Sequence, residues 1–399
     1  DGTTTPVSKY LASGTQQTFS HVYTAPGTYT PVCKAISQNG IAGSMAGTPV
    51  MVVAKQFAVR DVLLTLPWQQ NVYTNRFTIM CEGVKNTADP DLWKGLEVQW
   101  GENYANCTKM TRVESNGGTW IYKAHITVDA SLAGQTIPYR LGYFGQPFTY
   151  EEAADNTEGT VKLWNETAGE SFKVGIWGDN QQGARGYDWD SDKYAYVRAI
   201  FSHMVAQGVD FGISSGDMAS SADYNNQIKP GILQATDGIL GRTRPYYVAW
   251  GNHDISYRNN QPYFETGSID DPAWGTSEDG AYYLYRGNVL FIFIHQSAYN
   301  ATTATWLANL LATERAQAAS FRVMIQHYPF WLECWSGNNN TALLEAAKAG
   351  GIDIVFSGHM HGYERYLKDG IVQLTNGGAG YLDHVESVTT YYGDDIFVG

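Results

Sequence analysis

Cysteine, lysine and long apolar runs are scarce in this chain. Four cysteines occur in 399 residues, Cys33, Cys81, Cys107 and Cys334, and none forms the close pairs of a zinc knuckle. Cys81 and Cys107 fall in one β-rich stretch and could bridge; unpaired buried thiols are the alternative. No run approaches the roughly 18 uninterrupted apolar residues of a membrane span. Basic residues are outnumbered, 26 Lys+Arg against 39 Asp+Glu for a net charge of −13. That argues against a nucleic-acid surface, because phosphate contact favours a basic patch. No Cys/Ser-X-Pro-X-Arg nucleophile motif is present, which speaks against a sulfatase. No signal peptide is visible at Asp1, as expected for a leader either removed or never there.

Apolar residues make up 43% of the chain, enough for real cores, and the length calls for two or three domains. Tyr, Trp, Thr and Asn are plentiful where Lys is not, so a secreted or cell-surface protein is expected. Sequons at Asn106, Asn165, Asn300 and Asn339 are near chance in so Asn- and Thr-rich a chain.

Residues 1–55 lack helical periodicity. Phe19–Thr24, a Pro26-Gly27 turn and Thr28–Thr30 read as strand, turn and strand. With Asp1-Gly2-Thr3 ahead of it, the segment resembles the later part of a polycystic-kidney-disease-type (PKD) β-sandwich. The further strands of such a domain are missing, so a fragment, or a sheet completed by another chain, is expected; an open edge is adhesive. Residues 56–168 again read as short strands: Val62–Leu66, Arg76–Met80, Leu96–Trp100, Trp120–Ala124 and Tyr139–Tyr143. A second, fibronectin-III-like antiparallel sandwich is expected. Polysaccharide binding or self-association are the partner readings for these β domains.

From 169 to 399 strands alternate with amphipathic helices over Ser191–Gly208, Thr302–Gln317 and Thr341–Ala349, the mark of an α/β domain. Five apolar runs of strand length each lead into a short polar segment. Phe172–Trp177 precedes Gly-Asp-Asn-Gln (178–181), and Val209–Ser215 precedes Gly-Asp (216–217). Pro245–Trp250 precedes Gly-Asn-His-Asp (251–254), Phe321–Gln326 precedes His-Tyr-Pro (327–329), and Ile352–Ser357 precedes Gly-His-Met-His-Gly (358–362). Two strands without a candidate ligand are expected among them. Ligands gather beyond the carboxyl ends of strands in such sheets, so Asp179, Asp217, Asn252, His327, His359 and His361 should converge.

Two carboxylates, an amide and three imidazoles can hold two metal ions that share a carboxylate, at about 3.5–4 Å separation. Such a pair lowers the pKa of a bridging water and absorbs charge at phosphorus. His253 would stand beside the metals without binding them, placed to protonate a leaving oxygen. Asp254 could orient it or raise its pKa. Any one of these residues alone has a plainer reading, such as a helix cap or a turn residue; all five segments in order do not.

The order Gly-Asp, Gly-Asp, Gly-Asn-His-Asp, His, Gly-His-X-His is similar to the calcineurin-like metallophosphoesterase superfamily. Gly358–Arg365 and the β-sandwich ahead resemble its purple acid phosphatase branch. The resemblance implies a four-layer α/β/β/α domain hydrolysing phosphate esters. It implies one ion on Asp179, Asp217 and His361, and another on Asp217, Asn252, His327 and His359. The ions would be iron, zinc or manganese. Two positions depart from the pattern. Ser220 stands where purple acid phosphatases carry a tyrosine, Tyr224 being out of register, so no purple charge-transfer band is expected. Gln181 stands where other members carry a histidine and would be a weak, neutral ligand. The family's further substrate-side histidines are also absent. Trp331, Glu333 and Trp335 occupy that loop, pointing to a different substrate, with an apolar or sugar-like group stacking on Trp. The competing reading is an extracellular structural or adhesive protein, filament-forming or glycan-binding, with a vestigial site.

Overall fold

The structure is a computed structural model describing residues 27–32, 47, 49–52, 70–73, 75–84, 92–116, 119–148, 157–166, 170–181, 195–220, 240–254, 280–331, 341–378 and 396–397. The expected strands at 19–24 and 62–66, together with Cys33, Tyr224, Glu333, Cys334, Trp335 and Asn339, lie outside the described residues.

The N-terminal region is mostly sheet. β1 (Gly27–Tyr29) pairs antiparallel with β2 (Val50–Val52). Next come β3 (Gln70–Tyr73), β4 (Arg76–Val84), β5 (Leu96–Trp100), β6 (Asn106–Lys109), β7 (Thr111–Asn116), β8 (Thr119–Thr127), β9 (Thr136–Tyr143), β10 (Gln146–Pro147) and β11 (Glu158–Lys162). They form two antiparallel sheets, β3-β4-β8-β7 and β10-β9-β5-β6, with β11 also on β9. Side chains alternate across a strand. Phe77, Ile79, Cys81, Tyr122, Ala124 and Ile126 of the first sheet therefore share one cluster with Leu96, Val98, Tyr139, Leu141 and Tyr143 of the second. Cys81 and Cys107 are free thiols, one buried and one exposed, so the bridge between them is not formed. They sit on β4 and β6, strands of different sheets.

The α/β part holds two further sheets. β12 (Val174–Trp177), β13 (Phe211–Ser214) and β14 (Tyr246–Val248) are parallel. β15 (Tyr282–Arg286), β16 (Val289–Ile294), β17 (Phe321–Gln326), β18 (Ile354–Ser357), β19 (Tyr363–Lys368), β20 (Ile371–Asn376) and β21 (Ile396–Phe397) make a mixed sheet in the order β15-β16-β17-β18-β20-β19-β21. β15 and β16, between β14 and β17 in the chain, are the two expected strands without a ligand. Phe211, Ile213 and Tyr247 meet Tyr282, Leu284, Phe291, Phe293, Val323 and Ile325 between the sheets. On the outer side of the three-stranded sheet, Trp177, Tyr246 and Val248 receive Val197 and Phe201 of helix Ala195–Ala206. On the outer side of the other, Ile292, Ile294, Met324 and Val355 receive Leu307 and Leu311 of helix Ala301–Leu311 and Leu343 of helix Thr341–Ala349. The layers run helix, sheet, sheet, helix.

The expected helix Thr302–Gln317 is broken into Ala301–Leu311 and Glu314–Ala318. Thr313 Oγ1 donates to Leu310 O (2.7 Å) and accepts from Ala316 N (3.3 Å), ending one helix and capping the next. The two regions share their core. Met80 and Ile121, on the other face of β4 and β8, cluster with Met218, Leu240 and Trp250, and Tyr139 Oη donates to Arg242 O at 2.7 Å. Buried Arg286 closes the junction. It donates to Asn165 O (2.9 Å), pairs with Glu170 (3.2 Å) and lies 5.2 and 5.4 Å from the ring centres of Trp164 and Phe172. Among the described residues no helix is long and apolar enough to cross a membrane.

Candidate metal centre

The strands β12, β13, β14, β17 and β18 point their carboxyl ends to one place, and the five polar segments meet there. Ligand-bearing atoms of Asp179, Asp217 and His361 lie within 4.8 Å of one another, and so do those of Asp217, His327 and His359. Asp217 belongs to both groups. His327 Nε2 is 3.2 Å from Asp217 Oδ2 and 2.9 Å from Asn252 Oδ1, while His361 Nε2 is 3.5 Å from Asp179 Oδ1.

The backbone is bent to achieve this. Asp179, Asp217 and His359 have φ of 56°, 50° and 70°, a left-handed region that Asp and His enter at a cost of about 1–3 kcal/mol each. Close approach explains the glycines beside them: a Cβ at Gly251 would lie 2.1 Å from Asp217 Oδ1, and one at Gly358 would lie 2.4 Å from Asp179 Oδ2. The loops are laced together by Asp179 N to Gly216 O (2.9 Å), Gln181 N to Asp217 O (3.0 Å) and Gly358 N to His327 O (3.0 Å). Asp179 accepts the His359 amide at 2.9 Å, and Asp217 accepts that of His253 at 2.8 Å.

Residues 172–363 match the family model Calcineurin-like phosphoesterase. This segment is a calcineurin-like phosphoesterase domain. Purple acid phosphatase 22 of Arabidopsis thaliana is 23% identical over 201 residues, 45% of this chain and 44% of that protein. The chain thus spans less than half the length of that curated relative. A purple acid phosphatase from yellow lupin (Lupinus luteus) seeds superposes with a TM-score of 0.58 at 16% identity, over 80% of this chain and 66% of that one. This second likeness is one of fold, and it reaches from the phosphoesterase domain into the mostly-sheet region before it.

The phosphoesterase domain's electrostatics fit cations at this place. Burial pushes the Asp179 carboxyl up to about 6, against the pull of His361 and His327. Burial also works against the Asp217 carboxylate, yet the charge and hydrogen bond of His327 leave it below the usual range. Burial pulls His327 down, but the charge of Asp217 beside it outweighs this and raises the ring to about 9. His327 Nδ1 faces Ser215 O at 3.0 Å, so the extra proton sits on Nε2, between Asn252 and Asp217. That proton marks where positive charge is favoured. His359 shows the converse: burial, then the charge of His327, lower it to about 4, leaving a neutral ring with a lone pair. Oxygen and imidazole donors without thiolate suit hard or borderline ions.

Gln181 is buried among these groups. Its Nε2 donates to Asp217 Oδ2 at 3.3 Å, and its Oε1 has no hydrogen-bond partner among the described residues. Ser220 supplies its carbonyl to His253 Nδ1 (3.2 Å), which leaves Nε2 of that half-buried ring as its outer end. Asp254 is committed to the backbone: Oδ1 accepts Met218 N (2.9 Å) and Ala219 N (3.1 Å), and Oδ2 accepts Gly251 N (2.8 Å). Burial, then the charge of Asp217, raise its carboxyl to about 7.

Several contacts were not readable from the motifs. Tyr328 stands edge-on to His359 at 4.3 Å between ring centres. Tyr299 Oη accepts Tyr328 N at 2.8 Å. Gln373 Oε1 accepts Phe330 N (2.7 Å) and Trp331 N (3.2 Å). Trp331, in the loop expected to offer a stacking surface for substrate, is partly buried and packs against the helix-side cluster. A local signal existed only for Tyr328, as the residue following a candidate ligand.

Proposed function

We propose that the chain is a secreted phosphoesterase that hydrolyses phosphate mono- or diesters with two bound metal ions. The observation that carries this reading is Asp217, shared by two groups of potential ligands. Asp179, Asp217 and His361, with Gln181, would hold one ion, and Asp217, Asn252, His327 and His359 the other. When bound, the pair supplies a water of lowered pKa and neutralises charge on the phosphate oxygens. Asp217, fixed by the His253 amide, keeps the two halves of the centre in register. Ser215 holds His327 by Nδ1, so that only Nε2 is presented inward. His253 is anchored by the Ser220 carbonyl at Nδ1, and its Nε2 is placed to give a proton to the departing ester oxygen.

The two N-terminal β regions are read as a partial PKD-like domain (1–55) and a fibronectin-III-like sandwich (56–168), with the catalytic domain from 169. The shared cluster between two antiparallel sheets supports the second. No observation favours the adhesive reading over hydrolysis. The deciding experiment reconstitutes chelated protein with Mn²⁺, Zn²⁺ or Fe²⁺ and assays aryl phosphate mono- and diesters beside an Asp217→Asn control. Metal-dependent turnover lost in the control is expected. Two equivalents of metal bound without turnover of any ester would overturn the enzyme reading and leave the adhesive one.

A further inference from the structure

Directly behind the metal-centre strands, on the helix side of the large sheet, lies a row of buried polar side chains that the proposed chemistry does not use. Gln326 ends β17, Ser357 ends β18 and Thr375 stands one residue before the end of β20; they are 1%, 0% and 0% exposed. Their side of the sheet follows from the register. Gln326 comes two after Met324 and Ser357 two after Val355, and both of those face the helices. Ser357 pairs with Thr375, and their hydroxyls touch at 3.0 Å. Ile325 pairs with Phe356, which sets Gln326 beside Ser357 one step on.

Gln326 is the anomaly in the row. Neither its Oε1 nor its Nε2 has a hydrogen-bond partner among the described residues, although both are fully buried. A buried amide without partners is strongly disfavoured. The chain also closes the row over. Gln373, on the same face, accepts Phe330 N and Trp331 N and donates to Trp331 O at 2.7 Å, so the segment after Pro329 folds back across this side.

We infer that Gln326, Ser357 and Thr375 enclose a site for ordered water. Water rather than a cation is the ligand because Gln326 leaves both a donor and an acceptor to satisfy, and a cation would take only the oxygen. Buried waters characteristically make about three hydrogen bonds to such groups, and the amide with one of the paired hydroxyls supplies them. The site has a consequence for the centre above it. Gln326 immediately precedes His327, and Ser357 stands two before His359, so the water sets the spacing of the two strand ends that carry these histidines. This second step rests on the metal reading; the water site does not.

The test combines high-resolution diffraction with the Gln326→Met variant, which keeps the volume and removes the amide. Density for water within hydrogen-bond reach of Gln326 is expected. In chelated protein, the variant should melt about 3 °C lower. In calorimetric titration it should bind one of two metal equivalents several-fold more weakly and the other unchanged, which a general loss of stability would not produce. A dry Gln326, with a variant that melts higher, would overturn the inference. Equal binding of both equivalents in variant and native protein would overturn the positioning step. Native protein that binds no metal yet shows the water would sink the metal reading and leave the site standing.

Discussion

The backbone amide of His253 donates to Asp217 Oδ1 at 2.8 Å, tying the proton-donor candidate to the shared carboxylate through main chain. The two roles can therefore be separated by substitution. His253→Ala retains that amide, so metal content should stay at the native level. Turnover of esters with poor leaving groups should fall by about 10²-fold or more, and less for activated aryl esters. Asp217→Asn should lose metal and turnover together. Metal analysis beside kinetics on both ester types checks this; a fully active His253→Ala on both would end the acid assignment.

Asp254 presents a different case. Its carboxylate receives three backbone amides, from Met218, Ala219 and Gly251, and so fastens the Asp217 loop to the Asn252 loop. In Asp254→Asn one oxygen becomes an NH₂ facing a donor. The expected loss is about 2–3 kcal/mol, since a buried donor is left unsatisfied, read as a lower urea midpoint of the chelated protein. An intact midpoint with a slowed reaction would instead make Asp254 a partner of His253.

The sequence shows this centre well because its chemistry is local to strand ends. Each ligand candidate follows an apolar run, and β17 and the helix Thr341–Ala349 have the bounds the pattern predicts. What it hides is set by contacts far apart in the chain. Ser215 orienting His327, Gln373 fastening Phe330 and Trp331, and Arg286 closing on Glu170 each join residues more than 40 positions apart. Trp331 illustrates the limit: nothing local in the sequence shows that its amide is held by Gln373, 42 residues on, or that its ring packs against the helix-side cluster. The Cys81–Cys107 bridge fails likewise, because a shared β-rich stretch does not mean a shared sheet.

Metal-free protein should lose stability as pH rises from 6.5 to 9. His327 is raised from 6.5 to about 9 in the fold, so across that window the native chain holds a proton that the unfolded chain has released. Stability is fully present below 6.5 and is lost as pH climbs through 9, by at most about 3 kcal/mol. Asp254, raised to about 7, acts in the same direction near neutrality. Bound metal takes the place of the His327 proton and should flatten the curve, as should His327→Gln in chelated protein. Urea midpoints at several pH values, with and without Zn²⁺, measure the effect; a midpoint rising from pH 6.5 to 9 without metal would contradict the site's electrostatics.

Gln181 gives the centre its asymmetry. In the proposed ligand set one group has a neutral amide whose oxygen has no hydrogen-bond partner among the described residues, so one equivalent should leave first on dialysis against a weak chelator. Gln181→Leu should deepen that difference by about tenfold, and Gln181→His should reduce it, since imidazole suits zinc and iron better than an amide. Stoichiometry by plasma mass spectrometry at graded chelator concentrations decides the matter. Identical release from all three proteins would remove Gln181 from the ligand set.

Beside the shared apolar core, the junction between the sheet region and the phosphoesterase domain holds a buried cation. Arg286 is 1% exposed, paired with Glu170 and flanked by Trp164 and Phe172. Arg286 is buried but Glu170 is 28% exposed, so losing one partner costs less than the about 3–5 kcal/mol of a fully buried pair, and an apolar residue of similar length can recover part of the packing. Arg286→Ala should therefore destabilise the chain more than Arg286→Met, and Arg286→Met with Glu170→Gln should be milder than either. Protease sensitivity of the 162–172 segment reports the opening directly. If Arg286→Ala leaves both unfolding and cleavage unchanged, the two regions are held together by Tyr139, Met80 and Ile121 at their other contact and not by this residue.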